Sequence, residues 1–296
     1  RILAAANRPL RLLPAPWLVG GLALAVALAW WAVLSHPHGR LTVSIMDVGQ
    51  GDAIFVHTPQ GHQILIDGGP SAQAAMEALG RELPFWDRSL DLIVLTHPQE
   101  DHLVGLVRVL ERYDVAQVMA SPIEADSSAY DEWRRLIEEK DIPYLEATAG
   151  AWVDLGDSAT LHVLGPPQGG LHDTQDDLNN NSLVLKLSWG RLSFLLTGDI
   201  ESEAEDALLD SRHDLRAAVL KVPHHGSAHS SSKPFLEAVR PALTVISVGE
   251  DNTFGHPSPT TLARLTDTLL YRTDQHGRLR LSTDGQRLWV SPDRTP

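Results

Sequence analysis

Apolar positions along this chain fall into two textures. Residues 17–34 form an apolar run without a single charge. At about 1.5 Å per residue, a helix of that length covers most of a hydrocarbon core about 30 Å thick. Trp17, Trp30 and Trp31 stand near its two ends, where aromatic rings favour a membrane interface. The run is therefore predicted to be a transmembrane helix belonging to a longer membrane protein. A cleaved signal peptide fits less well, because no small-x-small site follows Leu34.

From Arg40 onward the pattern changes to short apolar runs separated by Gly, Pro, Asn and Asp, which is the texture of strands, turns and short helices. Strands are expected at 41–45, 53–56, 63–66, 92–95, 115–119, 142–145, 160–164, 183–189, 191–196, 218–222 and 243–248. A closing hairpin is expected at 278–282 and 286–290, turning at Asp284-Gly285. Helical spacing is read at 71–82, from Leu103 to Leu110, and at 130–140, 201–209, 234–239 and 258–271. The result is an α/β chain with one defensible boundary, dividing residues 1–39 from residues 40–296.

Charge refines this picture. The 296 residues carry a formal net charge of −14 and no cysteine, so disulfides, thiolate metal sites and cysteine nucleophiles are excluded. Residues 1–39 hold Arg1, Arg8 and Arg11 and no acid, which leaves 21 basic against 38 acidic side chains in residues 40–296. By the positive-inside rule the arginines stay in the cytoplasm and residues 40–296 lie outside. An acidic surface repels nucleic acid, so a domain acting on DNA would have to hold it through metal ions or local basic groups.

Candidate chemistry collects where apolar strands end. The strand at 92–95 runs into Thr96-His97-Pro98-Gln99-Glu100-Asp101-His102, and further strand ends carry Asp67, Asp199 and His224-His225. Imidazole and carboxylate together suit zinc, manganese or iron better than calcium. His97, Asp101, His102, Asp199 and one of His224 or His225 are enough donors for a pair of divalent ions sharing a carboxylate. Such a pair generates hydroxide near neutral pH and clamps both oxygens of a phosphate ester. Asp67, before Gly68-Gly69, reads as a turn former or as a partner that orients a ligand. His256, in a Gly-His-Pro turn, is a candidate to bind phosphate or protonate a leaving oxygen. Ser227 to Lys233 is compatible with a phosphate-binding loop and equally with a solvated linker.

These residues carry a family resemblance. The stretch His97 to His102 resembles the HxHxDH signature of the metallo-β-lactamase superfamily, Thr197-Gly198-Asp199 its bridging-aspartate motif, and His224-His225-Gly226-Ser227 its later histidine motif. Asp47-Val48-Gly49-Gln50-Gly51-Asp52-Ala53, Leu65-Ile66-Asp67-Gly68-Gly69, Asn181-Ser182-Leu183-Val184-Leu185 and Gly255-His256-Pro257 are similar, more narrowly, to the C-terminal domain of ComEC, the membrane channel protein of bacterial DNA uptake. The resemblance runs from about residue 41 to 290. It implies a metallo-β-lactamase αββα sandwich preceded by one transmembrane helix, and one or two Mn2+ or Zn2+ ions. It also implies that Asp47, Asp52, Gln99, Asn181 and Ser227 contact the ligands or the substrate. The implied partners are DNA, bound by its backbone, the bacterial inner membrane and other competence proteins. The implied activity is phosphodiester cleavage that degrades the strand not taken up.

Two positions depart from the superfamily pattern. Gln99 stands where a histidine or aspartate is usual, and Asn181 where many members place a histidine. A neutral amide is a poor metal ligand, so the ion using His97 is expected to bind weakly or only with substrate. Two competing readings share the same residues: a catalytically weakened or non-catalytic domain that gates the channel, and a hydrolase of another phosphodiester.

Overall fold

The structure is a computed structural model that describes residues 15–35 and 39–295. Two compact units divide at His38 and Gly39. The first contains the helix Ala15–Ser35, whose side chains are described only at residues 19–28 and 30. Of these Val19, Leu22, Leu24, Val26, Leu28 and Trp30 are exposed. Among the described residues no helix is long and apolar enough to cross a membrane. The three arginines used above for orientation, and the side chains of Trp17 and Trp31, lie outside the described residues.

In the second unit the strands form two large sheets. The eight-stranded sheet runs, edge to edge, Leu288–Pro292, Leu279–Thr283, Leu41–Ile45, Ile54–His57, Gln63–Ile66, Leu92–Leu95, Val118–Ala120 and Tyr144–Glu146. Its first five strands pair antiparallel and the rest, from Gln63–Ile66 onward, pair parallel. The seven-stranded sheet runs Leu269–Arg272, Leu243–Ile246, Val219–Lys221, Leu192–Leu196, Val184–Trp189, Thr160–Gly165 and Trp152–Asp154. Here the first four strands are mutually parallel.

Alternation along the strands shows how the layers stack. Ile64 and Ile66 join Val94, Leu185, Phe194, Val245 and Leu281 in one core between the sheets. Leu65, Ile93 and Leu95 point the other way, against Leu103, Leu106, Leu110 and Trp133 of the helices Glu100–Arg112 and Ser128–Glu139. Leu195 and Leu220 of the second sheet likewise meet Leu208, Phe235 and Val239 of the helices Ser202–Asp210 and Lys233–Val239. A period of two buries both faces of each sheet, and the outcome is the expected helix–sheet–sheet–helix sandwich.

One predicted element is corrected. The helix expected over 258–271 is only Pro259–Arg264, capped by Ser258, and Leu269–Arg272 is instead a parallel edge strand on Leu243–Ile246. Leu262, Leu265 and Leu269 continue a helical spacing, but Thr266, Asp267 and Thr268 interrupt it with poor helix formers. The edge of the parallel sheet then supplies backbone partners that a longer helix would forgo.

Candidate metal centre

Five loops leave the carboxyl ends of parallel strands and meet. After Gln63–Ile66 comes Asp67; after Leu92–Leu95, Thr96 and His97; after Leu192–Leu196, Asp199; after Val219–Lys221, His224 and His225; after Leu243–Ile246, Ser247. The helix Glu100–Arg112 starts directly beyond His97, with Gln99 at its N-cap and Asp101 and His102 in its first turns. Gly51 lets the loop of Asp52 approach this helix start: a Cβ there would lie 2.1 Å from the Asp101 carbonyl oxygen.

At the centre, donor atoms of Asp101, His102, Asp199 and His225 all lie within 4.8 Å of one another. Asp199 Oδ2 is 3.3 Å from His102 Nε2 and 3.0 Å from His225 Nε2, and Asp101 Oδ2 is 3.3 Å from the same His225 nitrogen. The Nε2 atoms of His97, His102 and His225 are buried without a hydrogen-bond partner. Buried ring nitrogens without a hydrogen bond are costly, and with the two carboxylates beside them they form a donor set that a divalent ion fits once it displaces their protons.

The other ring nitrogens are held. Asp67 Oδ2 lies 2.8 Å from His102 Nδ1 and accepts from Thr96 Oγ1 at 2.7 Å, while its Oδ1 accepts from the Thr96 amide at 2.8 Å. The Ser247 carbonyl, 2.9 Å away, accepts from His225 Nδ1. Each partner turns the opposite nitrogen, Nε2, toward the centre. Asp67 is therefore placed as the orienting partner that its position before two glycines suggests.

Lysine enters the centre unannounced by the motifs. Lys221 is fully buried and pairs with Asp52, with Asp199 Oδ1 at 3.2 Å, and with the Gly198 carbonyl at 2.9 Å. It was legible as one charged residue in an otherwise apolar strand, a placement rare without a partner. Burial lowers its proton affinity, but the carboxylates of Asp52 and Asp199 outweigh this and raise it.

Electrostatics divides the histidines. Burial opposes charge on His225, yet Asp199 and Asp101 raise it to about 9. In the same way Asp199, Asp101 and Asp67 overcome burial to lift His102 well above the usual histidine range. Asp101 and Asp199 move the other way, drawn down by the histidines and, for Asp199, by Lys221, against the effect of burial. His97 falls to about 3, chiefly through burial and then through the charge on His102. His256, only half-buried, falls to about 4 by burial and by its histidine neighbours. Its imidazole is neutral near pH 7, suited to a hydrogen bond with phosphate and poorly charged for acid catalysis.

Several expected contacts lie elsewhere. His224 turns outward from its neighbour: its Nδ1 is 3.0 Å from Glu201 and its ring meets His256 edge-on at 5.4 Å. Positive φ at both His224 and His225 sends the adjacent rings to different sides. Asp47 pairs with Arg294 at 3.0 Å. Asn181 spends its amide on Leu171 and Asp177. Ser227 Oγ accepts from the His229 amide, and its carbonyl from Thr261. Gln99 stays beside His97. The loop of Ser231 and Ser232 already gives its backbone amides to the buried carboxylate of Glu205, at 2.5 and 2.8 Å, so these amides are not offered to a phosphate, and with Ser230 and Ser231 buried the loop is not a solvated linker either.

Comparison with known proteins agrees with this geometry. Residues 46–250 match the family model of the metallo-beta-lactamase superfamily. The chain is 31% identical over 257 residues to ComE operon protein 3 of Bacillus subtilis, covering 80% of this chain and 32% of that protein. It is 31% identical over 270 residues to competence protein ComA of Neisseria gonorrhoeae, covering 91% and 34% respectively. It thus spans about a third of the length of these relatives. In fold it resembles the metallo-beta-lactamase fold protein YhfI of Bacillus subtilis, with a TM-score of 0.54 at 9% identity over 85% of this chain and all of that one. A family match of this extent, on a sandwich whose strand ends converge in this way, makes the chain a member of the metallo-beta-lactamase superfamily, with competence proteins among its relatives.

Proposed function

We propose that residues 40–296 are a metal-dependent DNA phosphodiesterase and that the whole chain is part of a membrane DNA-uptake protein. The observation that carries this reading is the convergence of Asp101, His102, Asp199 and His225, with the Nε2 atoms of both histidines buried and without a hydrogen bond. Similarity to competence proteins supports DNA as the substrate. The uncharged run 17–34 of the sequence, with Val19, Leu22, Leu24, Val26, Leu28 and Trp30 exposed, supports a membrane span. It would place residues 40–296 on the outer side of a bacterial inner membrane, beside other competence proteins.

Asp101, His102, Asp199 and His225 would hold manganese or zinc, with the His97 ring 4.2 Å from that of His102. A divalent ion in this position supplies Lewis acidity, offsetting phosphate charge and making water nucleophilic near neutral pH. Asp67 and the Ser247 carbonyl keep the two liganding imidazoles in the required tautomer and orientation. Lys221 holds Asp199 in place. His256, on the rim beside His224 and Phe254, offers a hydrogen bond to a non-bridging phosphate oxygen. Because no base-reading element enters this arrangement, the DNA would be held by its backbone and cut with little sequence preference.

The test is cleavage of single- and double-stranded DNA by the full chain in detergent with Mn2+ or Zn2+. Metal-dependent cleavage is expected, and its absence with every divalent ion tried defeats the reading. Gln99 and the acidic surface favour the competing role, a weakened domain that gates the channel. Gln99→Asp separates the two: a gain in metal affinity and cleavage fits a weakened enzyme, while no change in either fits the gating role. If a small phosphodiester such as an envelope phosphocholine ester is cleaved and DNA is not, the hydrolase stands and its substrate changes.

A further inference from the structure

The superfamily resemblance leads one to expect a pair of ions. The donors of this chain do not divide into two sets. Asp101, His102, Asp199 and His225 make one group, and the other close group among the described residues is Asp52, Asp67 and His102. That second group already holds a cation. Lys221 pairs with Asp52 Oδ2 and leaves only Oδ1 without a hydrogen bond, and Asp67 is taken by Thr96 and by His102 Nδ1.

A second ion would have to be built around His97, and little is left for it. Gln99 contributes only a neutral amide. Asn181 is held in another network, where Nδ2 donates to the carbonyls of Leu171 and Asp177, both at 2.8 Å, and Oδ1 accepts from the Leu171 amide at 2.7 Å. Asp199, the carboxylate that two ions would share, presents Oδ2 to His102 and His225 but has Oδ1 bound by Lys221. An ammonium fixed at 3.2 Å from that oxygen repels a further cation there, and burial leaves the repulsion weakly screened. His97 also lacks the carboxylate that orients His102: its Nδ1 lies 3.1 Å from the Thr96 hydroxyl.

We propose that the centre is built for a single divalent ion, held by Asp101, His102, Asp199 and His225, and that Lys221 takes the electrostatic place of the second. The ammonium balances Asp52 and Asp199 from beneath the floor of the site, as a positioning residue out of reach of substrate. This rests on the metal-dependent reading given above and narrows it to one ion.

The experiment is manganese stoichiometry of the full chain, by elemental analysis after equilibrium dialysis, with the electron paramagnetic resonance spectrum of the same sample. One ion per chain with the spectrum of isolated Mn2+ is expected. Two ions per chain, or an exchange-coupled pair, overturn the proposal while leaving a metal phosphodiesterase intact. One ion without DNA cleavage sinks the nuclease reading and leaves this one standing. Failure to bind any ion removes both. His97→Ala should still bind one ion, with affinity changed less than about threefold, whereas Asp101→Asn should lose at least about tenfold. Equal losses in the two variants would make His97 a ligand of the ion and contradict the assignment. Lys221→Gln removes the charge and frees two carboxylates, so in manganese its stoichiometry should rise above one. If it folds and still binds a single ion with unchanged affinity, Lys221 does not have the role proposed.

Discussion

His224 and His225 show what a residue-level reading can and cannot reach. The motif placed a ligand at one of the two, but neighbouring residues in sequence carry no sign of which ring faces inward. That depends on backbone torsions, and on a carbonyl, that of Ser247, contributed from another strand end. Asp67 was more legible, since an acid before two glycines at a strand end has few structural uses. Replacing it with asparagine would leave the turn but weaken the hold on His102 Nδ1, and metal affinity should fall by about 10- to 100-fold. Competition with a chelator of known affinity measures this, and an unchanged affinity would deny Asp67 its orienting role.

Proton linkage at the same residues has a definite sign. Folded His225 titrates at about 9, above the ordinary 6.5, so between these values the folded chain keeps a proton that the unfolded chain has lost. Its stabilising contribution is complete below about pH 6.5 and disappears as pH rises through about 9. In a chelator, the melting temperature should therefore fall across this window. In saturating manganese the ion replaces the proton on His225, and the decline should be much smaller or reversed. Parallel curves with and without metal would contradict the placement of His225 at the ion.

At the scale of elements, short apolar runs bounded by turn residues were enough to find most of both sheets. They are strands because both faces of each sheet are covered, which a continuous apolar run reflects directly. The helix expected over 258–271 failed for the complementary reason. Its spacing was helical, but the open edge of Leu243–Ile246 competed for the same backbone, and sequence alone does not reveal an edge. The close contact of the helix Glu100–Arg112 with the loop after Gln63–Ile66 was equally hidden. A Cβ on Gly105 would lie 1.9 Å from the Gly68 carbonyl oxygen. Gly105→Ala must push this helix outward, carrying Asp101 and His102 with it. A loss of about 1–3 kcal/mol in stability is expected, together with weaker metal binding. Chemical denaturation and metal titration check the two effects, and a variant with native stability and native affinity would show that the helix start is not fixed by this contact.

For the whole molecule, the acidic balance and the site have to be reconciled. Residues 40–296 carry 38 acids against 21 bases, and Lys221, the basic residue closest to the liganding carboxylates, is buried with its charge already paired. On the proposed function, attraction for a phosphodiester would come chiefly from the metal ion, so that metal would control both substrate binding and cleavage. The αββα architecture and the strand-end donors were legible from the motifs. The partners of Lys221 and those of the Asn181 amide were not, because each depends on residues distant in the chain. The most direct test is manganese content measured beside cleavage of a single-stranded oligonucleotide, comparing the wild-type chain with Asp199→Asn. The wild type should bind the ion and cut the strand, and the variant should retain its fold while losing both. Cleavage that persists in the variant, or in wild type stripped of metal, would contradict a phosphodiesterase centred on Asp199.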